Sequence, residues 1–251
     1  MHRKAIRLIK KQNINYLLKS NSFNKFYDNV SIKNHQNEFL VFLDDNQLIS
    51  PENNLVSYPS FSLIKSIADE WIVQKDSINL ESMLMNKLFF TALDKVKPNL
   101  SIHIDELLNF IDFDLLCYHV KVPHDLKKIQ EKKFHPIILW LSTEYRISPT
   151  INHEIISIPN KEDVKLNLRE LLYSFDFIEL TLLQFLINIL GSIILGIAFL
   201  KGRLSENEII KLIYLEEDWR ANLSGDKENS YDEKKNILAD MKLVKKIINI
   251  K

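Results

Sequence analysis

Asp114, Cys117 and His119 fall within six positions and carry the groups that a thiol nucleophile needs. On a strand, Cys117 and His119 would share a face. No base with a group to orient it can be read nearby, so the lone cysteine is expected to be a small buried hydrophobe between Leu116 and Tyr118. His119, His124 and His135 lack metal-ligand spacing, Pro123 interrupts the first pair, and one cysteine allows no Cys pair. No metal site and no catalytic residue is therefore expected. Gly191-x4-Gly196 has the glycine spacing of a phosphate-binding loop, but Ile197 and Ala198 stand where that chemistry needs Lys and Ser/Thr. No nucleotide, and no other cofactor, is expected there. Glu216, Glu217, Asp218 and Trp219 form the remaining cluster. They follow the apolar run Ile209, Ile210, Leu212, Ile213, Leu215 and so fall at the carboxyl end of one helix over 205–220. Acids there oppose the helix dipole, by a few tenths to about one kcal/mol each. Two readings stay open: a helix running on to Ala221 with solvated acids, or a partner surface where Trp219 anchors and the acids meet basic groups.

The elements that must position these groups are mostly helical. Helices are expected at 83–97, 101–110, 124–145, 161–174, 177–201, 205–220 and 232–250. Ser205-x-x-Glu208 is a capping box, and Gly202 is placed to end the helix before it. Leu115–Val120 and Thr150–Ile158 look extended and are expected to pair with each other or to join a sheet. Towards the amino end, Phe39, Val41 and Leu43 alternate with their neighbours, and Asp44-Asp45-Asn46 is turn chemistry. Phe26–Ile32, Gln47–Ile49 and Leu55–Tyr58 could complete a small sheet. Pro59 and Ser60 then introduce a helix with Leu63, Ile64, Ile67, Trp71 and Ile72 as its apolar stripe. A hinge is expected near Gln74–Ser82.

Leu180–Leu200 holds 21 residues without a charge, long enough to cross a bilayer. Thr181, Gln184, Asn188 and Ser192 step by three, four and four, which makes one polar stripe. Lipid gives such a stripe no partners, so the run is read as the central helix of a water-soluble domain, with no integral membrane insertion. Lys+Arg and Asp+Glu both number 33, so no global field favours nucleic acid or an anionic membrane. One cysteine excludes an internal disulfide framework and agrees with a reducing compartment. The first 27 residues carry seven Lys and Arg and no acid. A solvated helical extension, a targeting segment and a membrane-touching helix all remain open for them.

The chain resembles the assembly chaperones of the catalytic head of the F-type ATP synthase that bind free alpha subunit. The markers are Phe26-Tyr27 with Val30, Leu43-Asp44-Asp45 through Ser50-Pro51, Ile67–Trp71, Thr91–Val96 and Asp114–Tyr118. Pro136 with Trp140, Gly191–Leu204 and Leu215–Trp219 complete the series, and all three tryptophans fall on family positions. Arg220, Ser224, Gly225, Gln47, Leu48 and Phe90 depart from the pattern.

The resemblance implies an α+β protein: a small β-rich amino-terminal domain with one helix, then a larger all-α carboxyl-terminal domain. With the pattern above, the boundaries are 1–22 for a basic helical extension, 23–81 for the small domain and 82–251 for the helical one. It implies a non-enzymatic protein that binds ATP synthase alpha subunit and covers its beta-facing surface until assembly; a monomer is expected. The acidic position linked to alpha binding matches Glu217, within Glu216, Asp218 and Trp219. Trp71, Asp114, Tyr118 and Trp140 are expected to be structural. The Lys-rich, Ser-poor amino segment favours a bacterial cytoplasm, with a mitochondrial matrix as the alternative. A membrane-associated assembly factor and a hydrolase using Cys117 or the Glu216–Asp218 acids are the rival readings.

Overall fold

The structure is a computed structural model, and it describes residues 22–153, 158–224 and 231–251. The expected basic helix over 1–22 lies almost wholly outside the described residues. The chain forms two compact units. One takes in the chain up to Asn99 together with Lys246–Lys251, and the other is Leu100–Lys245.

In the first unit, β2 (Val30–His35) and β3 (Glu38–Leu43) make an antiparallel hairpin, with Val30 opposite Leu43 and His35 opposite Glu38. Gln36 and Asn37 supply its two-residue turn, both at positive φ (50° and 67°), as the strand twist demands. β3 also pairs with β4 (Asn46–Gln47) and β5 (Ser57–Tyr58), so it is the centre of the sheet. Leu40, Val41 and Leu43 are buried, so the strand is covered on both faces at its middle. Helix α1 (Phe61–Ile72) packs Leu63, Ile64, Ile67, Ala68 and Trp71 inward. Ser60 caps it, its Oγ accepting from the Leu63 amide at 3.3 Å. Ile72, read as part of the apolar stripe, is 55% exposed instead.

The expected hinge is not a linker. Ser77–Asn79 is a strand, β6, paired antiparallel with β1 (Ser22–Asn24). Helix α2 (Leu84–Thr91) then runs into a wider π turn at Ala92–Val96. Asn86 on α2 ties it to α1, accepting from the Trp71 indole at 2.8 Å and donating to the Ile67 carbonyl at 3.0 Å. By contact, α2 belongs with the sheet, and the division falls after Asn99 rather than near residue 81.

The second unit holds α3 (Leu100–Leu108), α4 (His124–Tyr145), α5 (Glu162–Tyr173), α6 (Phe177–Leu190), α7 (Ile193–Leu200), α8 (Glu206–Ile213) and α9 (Leu215–Ser224). It also holds most of α10 (Tyr231–Ile250), whose last residues belong to the first unit. The long apolar run is two helices, not one. Gly191 adopts the left-handed conformation (φ 66°) and ends α6, while Ser192 restarts the chain as the cap of α7. The expected polar stripe is correspondingly broken. Thr181 donates to the Phe177 carbonyl, Gln184 bonds Asn188 along the surface, and Ser192 turns inward to Asp114. Ile193–Phe199 is buried throughout, and Gly196 lets α7 approach Leu183 of α6. No helix among the described residues is long and apolar enough to cross a membrane.

Leu115–Cys117, expected to be extended, is a 3₁₀ turn instead; the two segments meet only where Tyr118 and Asn152 form a parallel bridge, and residues 154–157 of the second lie outside the described residues.

Candidate partner-binding site

The sequence places Glu216–Trp219 at the end of a helix; the structure places them at the start of one. α8 stops at Tyr214, whose amide bonds back to the Ile210 and Leu212 carbonyls, and α9 begins one residue later. Glu216, Glu217 and Asp218 therefore occupy the first turn of α9, the end where the helix dipole favours negative charge. The expected local cost becomes a local gain.

Three of the four cluster residues are engaged within the protein. Glu216 accepts from the Gln130 side chain at 2.8 Å and pairs with Arg220 at 3.3 Å. Asp218 pairs with Lys234 of α10 at 2.8 Å. The Trp219 indole N–H donates to the Asp125 carboxylate at 3.0 Å, a bond that holds that carboxyl below its usual range. Glu217 is exposed, and no hydrogen bond or ion pair to another described residue occupies it. Beneath the cluster, burial pushes the Tyr214 phenol up to about 12, with Glu233 adding to the shift, and Lys234 lies 4.5 Å from the centre of its ring.

The residues that hold the cluster were not legible as part of it. Gln130 is fully buried on α4, where its carbonyl oxygen accepts from the Val120 amide at 2.8 Å and its amide nitrogen reaches Glu216. Asp125 lies 94 positions from Trp219 and Gln130 lies 86 from Glu216. No local spacing signals such pairs.

The residues expected to be structural lie apart from this site. Trp71 is 4% exposed in the first unit, its ring edge-on to Tyr27, whose hydroxyl donates to the Trp71 carbonyl at 2.6 Å. Asp114 is buried and accepts from Ser192 Oγ at 2.8 Å, the Leu116 amide at 2.9 Å and the Ile194 amide at 2.9 Å. It thus caps a short 3₁₀ turn and the start of α7 together. Tyr118 is half-buried beside the Asn152 bridge, and Trp140 is half-exposed, edge-on to Tyr145.

The groups that suggested catalysis are occupied otherwise. Burial pushes the Cys117 thiol well up, away from the thiolate, with the Asp114 charge adding to it. Burial also lowers His119, whose Nε2 lies 3.1 Å from the Leu116 carbonyl. Gly191 is a helix terminus and Gly196 lies buried against α6, so neither belongs to a phosphate cradle. Among the described residues no group of three or more His, Cys, Asp or Glu side chains is placed to hold a metal ion.

With this geometry in hand, the comparisons with known proteins are specific. The family model described as ATP12 chaperone protein matches residues 24–142. The mitochondrial protein atp12 of Schizosaccharomyces pombe is 24% identical over 225 residues, covering 84% of this chain and 77% of its own. A crystal structure of Atp12 from Paracoccus denitrificans superposes with a TM-score of 0.80 at 28% identity, covering 90% of this chain and 97% of that one. The Agrobacterium tumefaciens protein Atu1473 shares the fold with a TM-score of 0.81 at 22% identity, over 99% of this chain and 96% of its own.

Proposed function

We propose that this chain, which matches the ATP12 chaperone family model over residues 24–142, assists assembly of the catalytic head of the F-type ATP synthase by binding free alpha subunit. It covers the surface of alpha that later meets beta, an apolar face that would otherwise aggregate, and gives way when beta arrives. It acts as a monomer, by binding rather than by turnover. The Lys-rich amino segment keeps a bacterial cytoplasm as the working compartment and a mitochondrial matrix as the alternative.

One observation carries the site. Glu217 is the member of the acidic cluster left without a partner among the described residues, held outward on the first turn of α9. A fixed, solvent-facing carboxylate on an anchored helix suits docking against a basic group of the client.

The test is capture of free alpha by the purified chain. The Glu217→Lys variant is expected to bind at least about tenfold more weakly, as reversal of a docking charge does. Its melting temperature should stay close to that of the wild type, since surface changes usually cost less than about 0.5 kcal/mol. Unchanged affinity for alpha would remove Glu217 from the site.

A further inference from the structure

We infer that Asp125 and Gln130 of α4 are positioning residues that latch α9 in place and so set the direction in which Glu217 faces the client. The inference rests on the functional reading above and extends it from the contact residue to the residues that aim it.

α9 has little packing of its own. Of its ten residues only Leu215 is buried. An amphipathic helix is normally held by an apolar stripe along its length; here polar bonds supply much of the hold. Gln130 reaches Glu216 and Asp125 reaches Trp219, one bond on each side of Glu217 in sequence. Both come from the first two turns of α4, five residues apart. Gln130 is itself rigid, because it is fully buried and its other end is fixed on the Val120 amide. Lys234 steadies the same turn of α9 through Asp218.

The assignment changes the role of Trp219. Its N–H is already used inside the molecule, and its ring is half-buried. It is the far end of the latch rather than an anchor offered to the partner. With the latch open, α9 would hinge about Leu215 and present Glu217 over a range of directions, and affinity would fall with the fraction of molecules held correctly.

The experiment uses the full chain and two readouts. Amide hydrogen exchange over residues 215–224 reports the latch without any client. Trp219→Phe keeps a ring and removes the N–H, and Asp125→Ala removes the acceptor. Both are expected to speed exchange in that segment and leave α6 and α7 protected, and both should weaken capture of free alpha by about tenfold if α9 is then aligned a tenth of the time. Asp125→Asn, which keeps an acceptor oxygen, should restore both. In Trp219→Phe the Asp125 carboxyl should also titrate at higher pH than in the wild type, because the bond that lowers it is gone. Unchanged exchange over 215–224 in both Trp219→Phe and Asp125→Ala would overturn the inference. So would faster exchange with capture of alpha intact. Failure of the wild type itself to bind alpha overturns the functional reading instead, and appears as no binding by any variant.

Discussion

Replacing Asp114 by asparagine keeps the volume and removes the charge, so it isolates what the buried carboxyl contributes. Burial raises that carboxyl from 3.8 to about 6, against the pull of the Ile194, Leu116 and Ser192 donors. A group that holds its proton more tightly when folded stabilises the fold below its unfolded value. That contribution is lost as pH rises through the folded value. The stability of the wild type, measured against Asp114→Asn by denaturant titration, should therefore fall by up to about 3 kcal/mol between roughly pH 4 and pH 6, then level off. A difference that stays flat across that range would show that the carboxyl is not raised. Residue types alone reveal part of this. The Trp71 stripe points to a core position, and 4% exposure agrees. Asp114 in DLLCY carries no sign of its partner Ser192, which lies 78 residues on.

Helices announce themselves better than their interruptions do. The 124–145 helix has the residue span expected from its pattern, and the Ser205 box closes in both directions, Glu208 accepting from the Ser205 amide at 2.8 Å. The breaks at Gly191 and Tyr214 are invisible to hydrophobic periodicity, because both flanks stay apolar. At Gly191 a left-handed residue is satisfied by a serine cap and a distant carboxylate; at Tyr214 the next helix gains three acids in its favoured turn. The break at Tyr214 also reverses the electrostatic sense of the cluster. Gly191 makes the point measurable. A Cβ there meets nothing within 4 Å, so Gly191→Ala tests backbone strain alone. It should cost about 1 kcal/mol in thermal unfolding, the price of a left-handed conformation for an L side chain. A neutral result would mean that α6 need not end there.

On the scale of the whole molecule, balanced composition hides an uneven distribution. Six of the 33 basic residues fall in the first 21 positions, which contain no acid, so residues 22–251 carry 27 basic and 33 acidic side chains. Docking of this acidic body on a basic group of the client, as proposed above, should slow as salt rises. The association rate with free alpha is expected to drop several-fold between about 0.05 M and 0.5 M salt, and less steeply for Glu217→Lys. A rate indifferent to ionic strength in the wild type would count against electrostatic docking. The order of sheet and helices along the chain could be read from pattern; the place where one unit gives way to the other could not, since it depends on α2 packing back through Asn86. The closing turn of α10 had no sequence signal either. Lys246–Lys251 belong to the first unit, and the Ser60 hydroxyl donates to the carbonyl of Ile250. During translation, then, the amino-terminal fold waits for its final piece until about 150 further residues have been made, which takes on the order of 10 to 30 s at ribosomal speeds.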